Sequence, residues 1–178
     1  MENRNEYIVL HPNDLAFDIV QKESPSTSEE DVFLCVPLFA EDAVTEQQDQ
    51  QIQIEIAGGN LKFEVASSSA LSEKTLRLQT LVQEGTAKDS RSEKMLFHIA
   101  IAETKAGEHL LVVNKKELSA RQMSADLIEM GVINAIGVER KSLNSSWYRY
   151  ANAIFSCGVG QPKQEIADSY LILQASSR

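Results

Sequence analysis

Cysteine, basic residues and long apolar runs are all scarce in this chain, and each scarcity closes off a class of protein. Two cysteines in 178 residues are too few for the disulfide scaffold of a small secreted domain. Both lie in apolar runs, Cys35 in "VFLCVPLF" and Cys157 in "AIFSCGVG", so two buried free thiols are expected. There are only three histidines, and no His/Cys group has the spacing of a metal site. No metal and no cofactor is expected. Lys and Arg number 17 against 26 Asp and Glu, a formal net charge of −9. Nucleic acids and anionic membranes need clustered basic residues to displace counterions, so neither is expected as a partner. No apolar stretch approaches the roughly 20 residues that span a bilayer. "MENRNEYIVL" lacks the basic and apolar regions of a signal peptide, so a cytoplasmic protein is expected. The G-x-S-x-G, G-x-x-x-x-G-K-[ST] and G-x-G-x-x-G motifs are absent, which argues against serine-hydrolase, nucleotide-hydrolysing and dinucleotide redox chemistry.

What is present is strand pattern. The length suits a single domain over residues 1–178 with a substantial core. "EYIVLHPNDLAFDIVQKE" reads as two short strands around His11-Pro12-Asn13-Asp14, and "DVFLCVPLFA" as a buried strand closed near Pro37. Ile52, Ile54 and Ile56 alternate with Gln53 and Glu55 as in a half-buried strand, and "AGGN" turns the chain into "LKFEVA" as a hairpin. "SSSALSEKTLRLQTLVQEG" suggests a helical turn capped by Ser69 or Ser72, then a strand at Leu81-Val82. The strongest hairpin is "MLFHIAIAETKAGEHLLVVNKKE", turning at Lys105-Ala106-Gly107. The strongest helix spans Ser119 to Met130, with Met123, Leu127 and Met130 on one stripe, Ser119 as N-cap and Gly131 as stop. "VINAIGV", "WYRYANAIFSCGVG" and "SYLILQA" supply further strands. The expectation is an α+β domain, a strand-rich mixed or antiparallel sheet with one or two packed helices.

The order of hairpin, helix, strand and loop over residues 96–146 resembles the C-terminal half of the phosphodiester glycosidase family. That family carries an "R-T-A-I-G" strand, a "T-K-D-G-x-L-L-L-V-V" hairpin, a helix, and then "A-x-N-L-D-G-G-G-S". This chain has "FHIAIAETKAGEHLLVV", then "LSARQMSADLIEMGVINAIGVERKS". Upstream, "LQTLVQEG" falls on the family's "GPLLV-x-DG" segment and "VFLCVPLFAED" on a strand ending in "N-G-G-F-F". Ala100, Ile101, Thr104, Lys105, Gly107, the run 110–113, Gly131 and Ala135-Ile136 fit the scaffold pattern. The site motifs do not fit. The family's arginine falls on His98, its Asp-Gly-Gly-Gly on Glu139, Arg140, Lys141 and Ser142, and its Asn-Gly-Gly on about Val36, Pro37 and Leu38. Glycine lets backbone approach a sugar or phosphate closely, whereas Arg and Lys put side chains in that space.

The resemblance implies candidate catalytic residues at Glu139 and His98. Glycosidic cleavage needs a carboxylate or proton donor, and an imidazole titrates near neutral pH. Arg140, Lys141 and Ser142 are candidate ligand-binding residues, able to hold a phosphate by charge-assisted bonds, as are Ser145 and Ser146. Asp42, with Glu41, could reach the same rim. Trp147, with Tyr148 and Tyr150, could stack on a pyranose. Each has a plainer reading: solvated charges on a polar loop, a satisfied core histidine, and aromatic packing at the start of a strand. His11 and His109 fall at turns and are expected to be exposed. The segment 41–51 is a candidate flap or contact segment. Two functions follow. One is a non-catalytic phosphodiester-glycosidase-like domain binding a partner protein or a small anionic or sugar-phosphate ligand. The other is a diverged hydrolase of a sugar phosphodiester or related glycosidic linkage.

Overall fold

Among the described residues the apolar alternation of the sequence is realised as three antiparallel sheets and one helix. The computed structural model describes residues 7–10, 15–21, 30–38, 52–65, 75–76, 78–88, 96–139, 147–150, 153–156 and 169–175. In chain order the strands are β1 (Tyr7–Leu10), β2 (Leu15–Gln21), β3 (Val32–Leu38), β4 (Ile52–Ala57), β5 (Asn60–Val65), β6 (Thr75–Leu76), β7 (Gln79–Gln83), β8 (Thr86–Ala87), β9 (Leu96–Thr104) and β10 (His109–Ser119). After the helix α1 (Ala120–Glu129) come β11 (Val132–Glu139), β12 (Trp147–Tyr150), β13 (Ala153–Ser156) and β14 (Ser169–Ala175). The central sheet runs β1-β10-β9-β11-β7-β8, a second runs β13-β12-β3-β14-β2, and a third runs β5-β4-β6. Among the described residues every strand pairing is antiparallel. The topology therefore settles the mixed-or-antiparallel alternative on the antiparallel side.

β9 shows how the layers form. Ile99 and Ile101 belong to the core shared with the other two sheets, beside Leu111, Val113 and Ile136 of the central sheet. Phe17, Ile19, Leu34, Val36, Leu171 and Leu173 come to that core from the second sheet, and Ile52, Ile54, Ile56 and Leu61 from the third. Ala100 and Ala102 face the other way, into a core made with Leu110, Val112, Ala135 and the helix residues Met123 and Leu127. Burial of each large aliphatic contributes roughly 1.5–3 kcal/mol.

Local chemistry fixes the connections. Gly58 and Gly59 have φ of 59° and 84°, the positive pair that a two-residue hairpin turn between Ala57 and Asn60 demands. A side chain on Gly59 would collide with Ala16, its ideal Cβ lying 2.7 Å from the Ala16 Cβ. That hairpin is also tied to β2, because Phe17 N–H donates to the Gly59 carbonyl at 3.1 Å. Ser119 caps α1 with a full capping box: its Oγ accepts from Gln122 N–H at 3.2 Å, and the Gln122 Oε1 accepts from Ser119 N–H at 3.2 Å. The buried residues of α1 are Ala120, Met123, Ser124 and Leu127, the stripe of an amphipathic helix. Gly131, at φ 85°, ends it.

Some placements go beyond the sequence reading. The two strands around His11-Pro12-Asn13-Asp14 are present as β1 and β2, with β1 beside β10 and β2 beside β14. β3 closes near Pro37 as expected, ending at Leu38, and Pro37 sits opposite Tyr170 of β14. The ladder to β12 covers only Leu34 and Cys35, so the missing proline N–H removes no bond from it. Gln53 is buried rather than solvated, and its carboxamide donates to Glu64 across the hairpin at 2.7 Å. One helix occurs among the described residues. The helical turn at Ser69 or Ser72 lies outside them.

Candidate functional site

The candidate residues on β9 and β11 meet because the strands run antiparallel and are hydrogen-bonded neighbours. β11 ends where β9 begins, with Val138 opposite Ile99 and Glu139 opposite Phe97. The register therefore shifts by one residue at His98. On its other edge the same residue faces a larger irregularity, where the β10 ladder jumps from Val113↔Ile99 to Leu118↔Phe97. Bulges bend a strand and re-aim its residues, and are enriched next to functional sites. The backbone thus brings Glu139 and His98 to one end of the central sheet, side by side on neighbouring strands.

Arg140, Lys141, Ser142 and Asp42 lie outside the described residues, as do Glu41, Ser145, Ser146 and the segment 41–51. Trp147 is described. It is 7% exposed and packs with Val32, Cys35 and Ile172 on the second sheet. Tyr148 is also buried, in the core between the sheets. Burial on both faces of β12 is what its pairing to Cys35 and Leu34 requires. Cys35 is buried, and Cys157 lies outside the described residues.

The opposite end of the same sheet holds polar residues that the sequence pattern did not single out. His109 is not an exposed turn residue. It opens β10, its side chain is 27% exposed, and its Nε2 lies 3.7 Å from Glu103 Oε1. The Phe63 ring of β5 sits 5.8 Å from its imidazole. Asn134 donates to the other Glu103 oxygen at 3.0 Å. The signal for this row was available only in the register, since Glu103 faces both His109 and Asn134 across its two ladders. Among the described residues no group of His, Cys, Asp or Glu could hold a metal ion. None of the described helices is long and apolar enough to cross a membrane.

No family model matches the sequence, and no curated protein matches it. Solved structures do. The catalytic domain of zebrafish N-acetylglucosamine-1-phosphodiester α-N-acetylglucosaminidase, auto-inhibited by its pro-peptide, is similar over 100% of this chain and 86% of that one. The TM-score is 0.57 and the sequence identity 12%. At that identity the likeness is one of fold alone.

Proposed function

We propose that this chain is a non-catalytic phosphodiester-glycosidase-like domain that uses the end of β9 and β11 to bind a partner protein or a small anionic ligand such as a sugar phosphate. The observation that carries this reading is the glycine-free continuation of β11. Glu139, Arg140, Lys141 and Ser142 stand where the resemblance puts Asp-Gly-Gly-Gly. Three glycines would let the backbone close on a substrate, whereas an Arg-Lys pair at 140 and 141 offers cationic groups of the kind that hold an anion. Likeness of fold over the whole chain supports a retained scaffold, and function is carried by the site rather than by the scaffold.

A diverged hydrolase is the second reading, and one observation favours it: Glu139 lies opposite Phe97, the neighbour of His98. In that reading Glu139 supplies the carboxylate at the scissile linkage, and His98 or Arg140 handles the phosphate. The two readings part in one experiment. Purified protein and Glu139→Gln are assayed on a panel of sugar-1-phosphodiesters that includes nucleotide sugars. Binding of the same compounds is measured by calorimetry, with Arg140→Ala/Lys141→Ala beside them. Binding without turnover, weakened by the double substitution, is the expected result. Turnover that Glu139→Gln abolishes would overturn it in favour of the hydrolase. Neither turnover nor binding would leave the protein-partner form of the reading.

A further inference from the structure

Three features that a finished protein core does not need coincide at the end of the central sheet away from Glu139. The first is Gln83. It is only 8% exposed, and its Oε1 is buried without a hydrogen-bond partner, an arrangement that destabilises the fold. The second is Glu84, at φ 49° the one described residue other than glycine with a positive φ, a strain that concentrates at functional sites. The third is the Glu103–His109 pair, left 24% and 27% exposed.

These features belong to one row. Val82 faces Ala135 on the β7–β11 ladder, so the next residues along, Gln83 and Asn134, come together. Asn134 faces Glu103, and Glu103 faces His109. Directly opposed residues share a face of a sheet, and this face is the one whose next residues inward are Ile101, Leu111 and Ile136. The hydrogen bonds follow the same path. Asn134 gives its amide to Glu103 at 3.0 Å, and its carbonyl oxygen accepts from Glu84 N–H at 3.2 Å, which holds the strained turn. Phe63 closes the row from β5, tilted 35° to the His109 ring. Asn134 lies five residues before Glu139 on β11, roughly 17 Å at a strand rise of about 3.3 Å, so this is a second place on the molecule.

We propose that this row binds a neutral, multiply hydroxylated ring of the pyranose type. Acceptors dominate it. The Glu103 carboxylate has lone pairs beyond the one Asn134 uses, and Gln83 Oε1 has no donor at all. Hydroxyl groups supply such donors and can accept in turn from the imidazole or from a carboxamide. The Gln83 amide reaches them by turning about its last torsion, which is broad and soft. Phe63 and His109 offer the flat ring faces against which a sugar ring packs. The row contributes a carboxylate and no Lys or Arg, which disfavours a phosphate. A bare ammonium would satisfy Glu103 but leave both carboxamides unused.

The full chain is titrated with methyl α- and β-D-glucopyranoside, mannopyranoside and galactopyranoside, followed by the backbone amide spectrum. Inorganic phosphate and tetramethylammonium serve as comparisons. The expected result is saturable shifts centred on Gln83, Glu103, His109 and Asn134, with a dissociation constant on the order of 1 mM for at least one glycoside. Glu103→Gln, which keeps the shape, weakens that binding tenfold or more. Gln83→Leu is decisive, because removing a buried amide oxygen that has no donor keeps or raises the melting temperature while binding falls at least tenfold. A merely structural glutamine would leave binding where it was. No saturable shift with any glycoside, shifts centred elsewhere, a response to phosphate or tetramethylammonium alone, or undiminished binding by Gln83→Leu would each overturn the proposal.

Discussion

In the middle of the central sheet both faces are buried, yet they are built from different side chains. Toward the other sheets β9 and β11 present Ile99, Ile101 and Ile136, and toward α1 they present Ala100, Ala102 and Ala135. Stacked sheets lie about 10 Å apart, so the strands themselves must supply long side chains to fill the gap. On the helix side the volume comes from Met123 and Leu127 of the helix and from Leu110 and Val112 of β10, so that β9 and the middle of β11 need only methyl groups. The "IAIA" of β9 is therefore an alternation of volume between two buried faces. An apolar-polar alternation would instead have marked a face open to water.

If that division of volume is right, deleting volume on the sheet side is the most damaging single change. Ile101, with none of its surface exposed, lies in the middle of β9, paired to Leu111 on one side and Ile136 on the other. Ile101→Ala is expected to cost about 2–5 kcal/mol, the transfer term plus the cavity. The urea midpoint should fall with an unchanged slope. The opposite error belongs on the opposite face. Ala102→Leu puts three extra carbons under α1, and overpacking of that kind costs about 1–3 kcal/mol. The same leucine introduced at Ile101 should cost less, because volume is nearly conserved there. Equal costs at 101 and 102 would mean that the faces are not specialised.

Local signals in the sequence carried much of this architecture, and non-local ones carried little. The paired glycines 58 and 59, the capping box from Ser119 to Gln122 and the stop at Gly131 each act within a few residues, so the β4–β5 hairpin and α1 are legible. Which sheet a strand joins depends on distant partners. β1 and β2 are separated by four residues yet enter different sheets, and no property of "HPND" says so. Gln53 looks solvated until Glu64 comes opposite to receive its amide. Trp147 looks like a ring beside a site loop until it pairs with Cys35. The nearness of Glu139 to His98 follows from β9 and β11 lying side by side, which the resemblance implied and periodicity did not. The row of Gln83, Asn134, Glu103 and His109 draws on four strands and is invisible to any window of sequence.

The helix that supplies the volume on the alanine side has its own weak point at the start. Ser119→Ala removes the acceptor for Gln122 N–H and half of the capping box. The expected loss is about 1 kcal/mol, and Ser119→Asp should restore most of it. Both are read from thermal melts. If Ser119→Ala were silent, α1 would be held entirely by its packing on the helix-side core, which would sharpen the contrast between the faces further.

The smallest effect is expected at a buried polar residue of α1 itself. Ser124 is completely buried, and its hydroxyl donates to the Leu81 carbonyl at 3.0 Å. The β7–β11 ladder jumps from Val82↔Ala135 to Thr80↔Ile136, which leaves Leu81 as an unpaired extra residue on β7. Its carbonyl also accepts from Lys88 N–H at 2.9 Å. Ser124→Ala therefore leaves no acceptor orphaned and puts a methyl group where methyl groups already line the sheet. The cost should lie at the low end for a lost hydrogen bond, about 0.5 kcal/mol. Ser124→Val tests the packing separately, since its extra carbons press on the bulge rather than on an alanine. If Ser124→Ala cost several times more than Ser119→Ala, the buried hydroxyl rather than the shape of the alanine face would be what seats α1 on the sheet.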